Sequence, residues 1–183
     1  LFAGAEKQGV RLPLPLGVVS QLTVELWVKI PRRSSGFRPG VLFGNFPAEP
    51  VLNFVVKNTG ALRMSWGTVD VYTAGIDVRD GQWHHVAFVR NPLRAPHFSV
   101  FVDGEDMPLV ELSPNPGLDL YLAHPHWIGN DFRVGGKESF VGAMSELRVW
   151  GRAFSKQEVQ RYGKLFKLDP SSPGLFLYFP FSS

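Results

Sequence analysis

The sequence predicts an all-β fold, an antiparallel sandwich or barrel with one short helix late in the chain. Short apolar runs follow one another, and 19 glycines and 15 prolines separate them throughout instead of collecting in one linker. Several runs alternate apolar and polar residues, which is the period of a strand with one buried face. No repeat or change of composition marks a boundary, so we expect residues 1–183 to form a single domain. Because the chain begins at Leu1 and shows no signal segment, we expect this domain to be excised from a longer chain.

The composition indicates a folded domain and excludes several classes of protein. The chain has 183 residues, of which 44% are hydrophobic and 13% aromatic, enough to bury a core without a disulfide or a metal. It contains no run of about 18 apolar residues, so we expect no membrane insertion. The net charge is +3 and the basic residues are scattered, so we expect no nucleic-acid partner. The absence of cysteine excludes a disulfide scaffold, a thiol nucleophile and cysteine-based zinc sites.

The strands can be placed in order along the chain. Residues 22–30 alternate apolar and polar positions, and Pro31 ends the run because proline cannot donate to a β-ladder. The next two runs, 51–57 and 61–66, are predicted to form a hairpin around a short turn of asparagine, threonine and glycine. Further strands are predicted at 69–76, 83–90, 121–122, 127–128, 140–150 and 175–181.

Two local motifs are more specific than the alternation. Asp103-Gly104 separates the strand-like runs 97–102 and 105–110, and this dipeptide favours a two-residue type I′ turn in which both residues have positive φ. Ser155 and Glu158 fit a capping box, in which each side chain accepts a hydrogen bond from the other residue's backbone amide. We therefore predict a short helix that begins after Ser155.

Several segments carry motifs that occur together, in this order, in one superfamily. Residues 83–87 read W-H-H-V-A, 101–104 read F-V-D-G, 127–129 read W-I-G and 140–150 read F-V-G-A-M-S-E-L-R-V-W. The flanking segments 23–28, T-V-E-L-W-V, and 174–181, G-L-F-L-Y-F-P-F, match as well. Over nearly its whole length the chain resembles the concanavalin A-like domains in their laminin G-like and pentraxin-like form. This resemblance implies a two-sheet antiparallel jelly-roll sandwich.

On this fold, most residues of these motifs are expected to stabilise the structure and not to bind a ligand. We expect Trp27, Trp83 and Trp150 to be core aromatics and not platforms for a ligand. His84 and His85 are neighbours on one strand, so their side chains point to opposite faces. They therefore cannot converge on one metal ion.

Catalysis is not expected. Enzymes exist on this fold, and retaining glycosidases need two carboxylates about 5 Å apart. The E-x-D-x-E strand that is typical of such enzymes is absent. Glu25 stands alone on its strand, whereas Glu105, Asp106 and Glu111 follow a turn and fit a solvated hairpin edge. We therefore expect a protein that is not an enzyme.

Calcium is the one cofactor that the resemblance implies, although none is expected to be required. Calcium takes six to eight oxygen ligands, which adjacent loops of family members supply. A pentraxin-like pair of calcium ions needs acidic residues at two places, but the first place offers only Glu49 and the second only Asn130-Asp131. A single laminin G-type calcium, held by Asn130, Asp131 and backbone carbonyls, remains open. The alternative is that these two residues simply form a turn.

A ligand site is expected on the concave sheet or on loops at one rim. The loop 118–132 mixes aromatic and polar residues, as stacking and hydrogen bonding of a sugar require, and the alternative is an ordinary loop that covers the core. Trp66 and Tyr72 flank a second candidate rim. The candidate ligand-binding residues of the loop are Tyr121, His124, His126, Trp127, Asn130 and Asp131. Four basic residues could contact an acidic glycan or protein, and the alternative is that they are ordinary surface charges. They are Arg32, Arg33, Arg38 and Lys57.

These features predict a non-catalytic, lectin-like recognition module that binds a glycan or a glycosylated ligand through rim loops and the concave face. The alternative is a protein-interaction or architectural module of a larger multidomain protein, without sugar binding. The partner is thus a glycan or a protein, and neither its identity nor the oligomeric state follows from the sequence. The resemblance favours an extracellular or cell-surface location, and the absence of cysteine leaves an intracellular one open.

Overall fold

The computed structural model describes residues 2–3, 9–12, 16–32, 40–45, 48, 50–111, 118–130, 139–165 and 167–181. These residues form β1 Phe2–Ala3, β2 Val10–Arg11, β3 Gly17–Val19, β4 Leu22–Lys29, β5 Gly40–Gly44, β6 Leu52–Val56, β7 Leu62–Trp66, β8 Val69–Thr73, β9 Trp83–Arg90, β10 Phe98–Val102, β11 Glu105–Asp106, β12 Leu109–Glu111, β13 Leu120–Leu122, β14 Trp127–Ile128, β15 Val141–Trp150, α1 Lys156–Gly163 and β16 Leu175–Phe179. Across these ranges, no helix has the length and apolar character needed to cross a membrane.

Two seven-stranded antiparallel sheets make up most of the fold. The first has the order β1-β15-β4-β9-β10-β11, with β16 also paired to β15, and the second has the order β12-β8-β7-β6-β5-β14-β2. Strands β3 and β13 form a separate two-stranded sheet. One large hydrophobic cluster draws side chains from both seven-stranded sheets. The predicted two-sheet jelly-roll sandwich is confirmed.

Alternation gives each sheet an inner face that forms the core and an outer face. In β4, Val24 and Leu26 lie in the shared core, whereas Glu25 between them belongs to the outer face of the first sheet. In the second sheet, Phe54 of β6 and Met64 of β7 lie in the same core. The residues between these core positions therefore form the outer face of the second sheet.

Both specific local motifs are confirmed. Asp103 and Gly104 have φ values of 53° and 81°, as a type I′ turn requires, and they connect β10 to β11. The Ser155 side chain accepts a hydrogen bond from the Glu158 amide, and the Glu158 carboxylate accepts one from the Ser155 amide. The capping box thus begins α1 where the sequence predicts it.

Helix α1 lies on the outer face of the first sheet. Its Val159 is fully buried in a cluster with Trp150. The approach is close at Gly163, where an added Cβ would lie 2.7 Å from Nδ1 of His85. The indole N–H of Trp27 donates to the carbonyl oxygen of Gly163 at 3.1 Å. A residue larger than glycine would push the helix away from the sheet.

A buried polar network centred on Glu25 lies beneath this helix. The Glu25 side chain has no exposed surface, and its Oε1 accepts a hydrogen bond from Nε1 of Trp150 at 3.1 Å. Its Oε2 lies 3.1 Å from Nε2 of His85. Arg148 supplies the positive charge, with Nη1 3.4 Å from Glu25 Oε1. Glu25 is the one acidic residue of its strand, and both of its carboxylate oxygens have partners in the structure.

Arg148 connects this network to the end of the helix. Its Nη1 donates to the carbonyl oxygen of Tyr162 at 2.7 Å, and its Nη2 donates to that of Leu165. The Nη2 group also lies 2.8 Å from Oε2 of Glu146. Glu146 has a φ of 54° at a register irregularity in β15, which brings its carboxylate back toward Arg148. One guanidinium therefore holds two carboxylates and the end of α1 together.

The prediction that three tryptophans belong to the core is correct for one of them and wrong for Trp83. Trp150 has no exposed surface and Trp27 is half-buried, but Trp83 is 43% exposed. Trp83 is the first residue of β9, opposite Lys29 at the end of β4. Helix α1 covers this sheet farther along β9, at Ala87, and leaves the end of the strand open.

The prediction that Trp66 flanks a rim is also wrong. Trp66 has the same strand parity as Met64 and lies in the core, with 1% of its surface exposed. Its Nε1 donates to the carbonyl oxygen of Leu118 at 2.7 Å, and the guanidinium of Arg90 lies 4.7 Å from its ring centroid. Trp66 is thus a support beneath the surface and not a contact surface itself.

His126 lies in the interior, although the sequence suggested a surface loop around it. It has no exposed surface and stacks on Phe43, with ring centroids 5.2 Å apart and planes 12° apart. Neither ring nitrogen has a hydrogen-bond partner among the described residues. Burial lowers the pKa of His126 to about 4. His126 and Ile128 are two positions apart along the chain, so their side chains point to the same side. Because Ile128 points into the core, His126 is buried as well.

Replacing Arg148 by methionine is expected to lower the free energy of unfolding by about 3–5 kcal/mol, because the buried Glu25 and Glu146 carboxylates lose their cation. The matched control is Lys156→Met, which removes an exposed ion pair with Glu105 and is expected to cost less than about 1 kcal/mol. Urea unfolding of both variants measures the difference. Equal losses would contradict the network described above.

Replacing His126 by phenylalanine is expected to remove part of the acid sensitivity of the fold. Because the folded-state pKa lies near 4, the unfolded chain takes up a proton below its ordinary pKa of 6.5 while the folded chain does not. Stability is therefore lost as the pH falls from 6.5 to 4, by up to roughly 3 kcal/mol from this residue. Unfolding measured across this range in wild type, His126→Phe and the exposed control His124→Phe tests this. Parallel curves for wild type and His126→Phe would contradict it.

Candidate functional site

The outer face of the second sheet carries a row of five residues in register. In neighbouring strands, Trp127 lies opposite Gly44, Gly44 opposite Asn53, Asn53 opposite Ser65, and Ser65 opposite Asp70. Their neighbours along each strand lie in the core, so by alternation these five residues face outward. We call them the Trp127 row. It runs perpendicular to the strands and crosses β14, β5, β6, β7 and β8.

The position of Asn53 depends on the glycine beside it. A Cβ at Gly44 would lie 1.9 Å from Oδ1 of Asn53 and 2.8 Å from the carbonyl oxygen of Leu52. The Asn53 amide therefore lies across the space that a side chain at Gly44 would fill, on the side of Trp127. Any other residue at position 44 would displace this amide from the row.

The other end of the row is held by charge and hydrogen bonds. The Asp70 carboxylate accepts a hydrogen bond from Oγ of Ser65 at 2.6 Å. It also forms a bidentate pair with Arg63, with Nε 3.1 Å from Oδ1 and Nη2 2.7 Å from Oδ2. The Arg63 and Asp70 side chains are 40% and 30% exposed, so solvent reaches this end of the face. The polar groups of the row are therefore fixed in place before any ligand arrives.

Two aromatic rings on this face each contact a cation. The guanidinium of Arg11 lies 5.5 Å from the ring centroid of Trp127. Nζ of Lys57 lies 4.1 Å from the ring centroid of Tyr72, on the neighbouring outward row. Both rings are half-buried. The exposed part of this face therefore offers aromatic surfaces and positive charge, whereas Asn53 and Ser65 in the middle of the row are 5% and 7% exposed.

The rim loop that contains Tyr121 is anchored from below. Nε1 of Trp66 donates to the carbonyl oxygen of Leu118, and Nη1 of Arg90 lies 3.1 Å from Oδ1 of Asp119. Burial lowers the pKa of Arg90, and the Asp119 carboxylate opposes this effect. Within the two-stranded sheet Tyr121 pairs with Val18, and these side chains are 64% and 70% exposed. The rim thus presents an apolar pair on a fixed support.

Of the six sequence-predicted site residues the structure describes five, and it does not bring these five together on one sheet face. Tyr121 and His124 are exposed, as expected of a rim, but Tyr121 belongs to the two-stranded sheet and Trp127 to the second sheet. His126 is buried, as described above, and a ligand on the surface cannot reach it. Of the five described residues, Trp127 is the one that lies with other polar and aromatic groups on an outer sheet face.

The predicted calcium ligands lie mostly outside the described ranges. Asn130 is 1% exposed, and its Oδ1 accepts a hydrogen bond from Oγ of Ser139 at 3.1 Å. Asp131 and Glu49 are outside the residues that the structure describes. Within those residues, no three histidine, aspartate or glutamate side chains cluster as metal ligands. The described residues therefore do not make up the six to eight oxygens that calcium takes, and the calcium site stays a prediction.

Two grooves beside α1 are weaker candidates. The larger, of about 460 Å³, has Phe101 and Phe154 among its lining residues, but these side chains are 4% and 5% exposed and offer no ring face for stacking. Burial raises the pKa of Asp106 at its edge. The smaller, of about 320 Å³, reaches His85, which Glu25 already engages. The outer face of the second sheet is thus the better candidate for a ligand site.

Most residues of this face were not among the site residues predicted from the sequence. The alternation of 52–56, 62–66 and 69–73 was sufficient to show which residues point outward, and the hairpin turns fix the register of Asn53, Ser65 and Asp70. No comparable signal marks Arg11, because β2 is only two residues long.

The fold is shared with several solved structures. A Bacteroides ovatus protein provisionally assigned to carbohydrate binding is 21% identical with a TM-score of 0.73, and the match covers 94% of this chain and 48% of that one. A heptameric SAP-like pentraxin from Limulus polyphemus is 23% identical with a TM-score of 0.67, covering 89% and 80%. Domain 4 of AbnA, an extracellular GH43 arabinanase from Geobacillus stearothermophilus in complex with arabinotriose, is 20% identical with a TM-score of 0.60, covering 85% and 72%. The chain spans about half the length of the Bacteroides protein, and identities this low show the fold alone.

The sequence itself matches a family model. That model describes the concanavalin A-like lectin/glucanases superfamily and matches residues 4–160. No curated protein matches the sequence. The matched residues include β4, β9, β14 and β15, whose motifs suggested the resemblance. The chain therefore belongs to the concanavalin A-like lectin/glucanases superfamily.

Proposed function

We propose that this domain is a non-catalytic recognition module that binds a glycan on the outer face of its second sheet. The observation that carries the proposal is the Trp127 row, which places the half-buried Trp127 ring at one end of this face and the partly exposed Asp70, paired with Arg63, at the other. The indole of Trp127 stacks on the C–H face of one sugar ring, and Arg63 and Asp70 exchange hydrogen bonds with the hydroxyls of a more distant unit.

The order of the row suits an oligosaccharide. Neighbouring strands lie about 4.8 Å apart, so Asn53 lies about 10 Å from the strand of Trp127, and Ser65 one strand farther. Sugar units that extend from the one stacked on Trp127 cross the buried Asn53 and Ser65 and reach the partly exposed Arg63 and Asp70 beyond them. The arabinanase domain of the same fold was solved with arabinotriose, a short oligosaccharide, which supports this class of ligand.

Two observations favour binding without catalysis. The Glu25 carboxylate is buried and engaged by Trp150, His85 and Arg148, so it is not available to a substrate. On the described part of the outer face, Asp70 is the carboxylate present, and Arg63 neutralises it. A glycosidase needs a pair of carboxylates, one of which is protonated.

The rim contributes secondary contacts in this proposal. Tyr121 and His124 are exposed beside the core-anchored loop and extend the surface that a larger glycan or a glycosylated protein meets. Calcium held by Asn130 and Asp131 is a further part of the proposal but is not required for stacking on Trp127. We place the domain outside the cell or on its surface, as the extracellular arabinanase with the same fold suggests.

A second candidate function is protein binding at the two-stranded sheet. Val18 and Tyr121 are exposed side by side, and Leu118 nearby in the chain is 80% exposed. Phe176, 52% exposed, lines a groove together with Val18. Exposed apolar side chains that lie together are typical of protein interfaces. Val18 and Phe176 belong neither to the Trp127 row nor to the proposed glycan rim, so variants of these two residues test protein binding independently of glycan binding.

Replacing Trp127 by alanine is expected to weaken glycan binding by at least about tenfold, because the stacking surface is lost. A glycan array identifies the ligand, and titration calorimetry measures its affinity for each variant. The matched control is Trp83→Ala, which removes an exposed tryptophan from the first sheet and should leave affinity unchanged. Unchanged binding in Trp127→Ala, or loss in Trp83→Ala, would place the site elsewhere.

Glycan binding is expected to persist when calcium is removed. Trp127, Arg63 and Asp70 need no metal ion for stacking and hydrogen bonding, and the buried Asn130 side chain already accepts a hydrogen bond from Ser139. Array binding in calcium and in a chelator compares the two conditions directly. Binding that disappears in chelator and returns with added calcium would instead assign an essential ion to the Asn130-Asp131 segment.

A further inference from the structure

We infer that the ligand of this face is an acidic oligosaccharide, with carboxylate or sulfate groups on more than one sugar unit. The inference rests on the proposed function and adds the charge and length of the ligand. It is carried by two pairs of a cation and an aromatic ring, Arg11 with Trp127 and Lys57 with Tyr72. In each pair the cation lies over the aromatic ring, so one place on the face combines an apolar surface with a positive charge.

The two cations lack the carboxylate partners that other cations of this face and of the core have. Arg63 on the same face pairs with Asp70, and the buried Arg148 pairs with two glutamates. Among the described residues, neither Arg11 nor Lys57 forms an ion pair with a carboxylate. Arg11 is exposed and Lys57 half-buried, so an anion from solvent can reach both.

The net charge of this face also favours an acidic ligand. Its described charged side chains are Arg11, Lys57, Arg63 and Asp70, and the pairing of Arg63 with Asp70 leaves two positive charges. The whole chain has a net charge of +3. A neutral glycan would leave both charges without a partner, whereas an acidic one forms charge-assisted hydrogen bonds with them. The planar guanidinium of Arg11 also suits bidentate contact with a carboxylate or sulfate.

The separation of the pairs sets the length of the ligand. Trp127 lies on β14 and Tyr72 on β8, four strand spacings apart in the second sheet. At about 4.8 Å per spacing, the two rings lie about 19 Å apart across the sheet. A single terminal acidic sugar reaches one pair only. A linear chain with repeated acidic units reaches both, passing over Asn53 and Ser65 between them.

The test compares acidic oligosaccharides with neutral forms of the same backbones. The probes are oligogalacturonides, hyaluronan fragments and chondroitin sulfate fragments of two to eight units, each beside its carboxyl-reduced, desulfated counterpart. We expect at least one acidic probe to bind at least about tenfold more tightly than its neutral counterpart, and binding to strengthen with length up to the span of the face. We also expect affinity to fall as salt increases.

Variants assign the effect to the two cations. Arg11→Gln and Lys57→Gln are each expected to reduce the preference for the acidic form by about three- to tenfold, and the double variant more. The control Arg94→Gln removes an exposed arginine from the loop after β9 and should have no effect. Circular dichroism and the melting temperature verify that each variant folds.

The outcomes separate this inference from the proposed function. If neutral glycans bind as tightly as acidic ones and Trp127→Ala abolishes both, the face binds glycans and the acidic class is wrong. If acidic probes bind but Trp127→Ala, Arg11→Gln and Lys57→Gln leave affinity unchanged, the proposed site and the inference both fail. Equal affinity for polyphosphate or single-stranded DNA would overturn the inference in favour of non-selective polyanion binding. Absence of binding to every glycan would overturn both.

Discussion

The buried contact between Arg148 and Glu25 fixes which face of the sandwich carries the helix. Through the carbonyl oxygens of Tyr162 and Leu165, the Arg148 guanidinium fixes the end of α1 on the outer face of the first sheet. That face is therefore covered by a helix and a buried polar network. Among the described residues no helix packs on the outer face of the second sheet, which is partly exposed at Trp127, Tyr72 and Asp70. The candidate ligand face is therefore on the sheet that does not carry the helix.

Buried charges are a costly way to attach a helix, since desolvation of each ion offsets much of the attraction between them. These buried charges fix the position of the helix on the sheet. Arg148 donates to two carboxylates and two backbone carbonyls, and one placement of the helix satisfies all four acceptors. Apolar contacts such as Val159 on Trp150 hold the helix but allow it to slide. The irregularity at Glu146, with its positive φ, is the local strain that this placement requires.

The parts of the structure that depend on local chemistry were predictable from sequence. The alternation of β4, the Asp103-Gly104 turn and the capping box of α1 each depend on a few neighbouring residues. The candidate site depends on something longer in range, the register of five strands from different parts of the chain. In β14, which is two residues long, a shift of one position decides that Trp127 faces outward and His126 inward. The composition of residues 118–132 suggested one surface loop that contains both His126 and Trp127. Composition does not show which side of a strand a residue faces.

The proposed site combines groups that are held in place with cations that are not paired to a carboxylate among the described residues. Asp70 is held by Ser65 and Arg63, so it loses little conformational entropy when a ligand binds. Arg11 and Lys57 are longer, rest on aromatic rings and can turn toward a negative charge. In the proposed site the fixed groups therefore select the shape of a ligand, while the two cations attract its negative charges from a distance and tolerate variation in where these charges lie. On a strand frame shared across a superfamily, changing these few outward residues alters what is bound without disturbing the core.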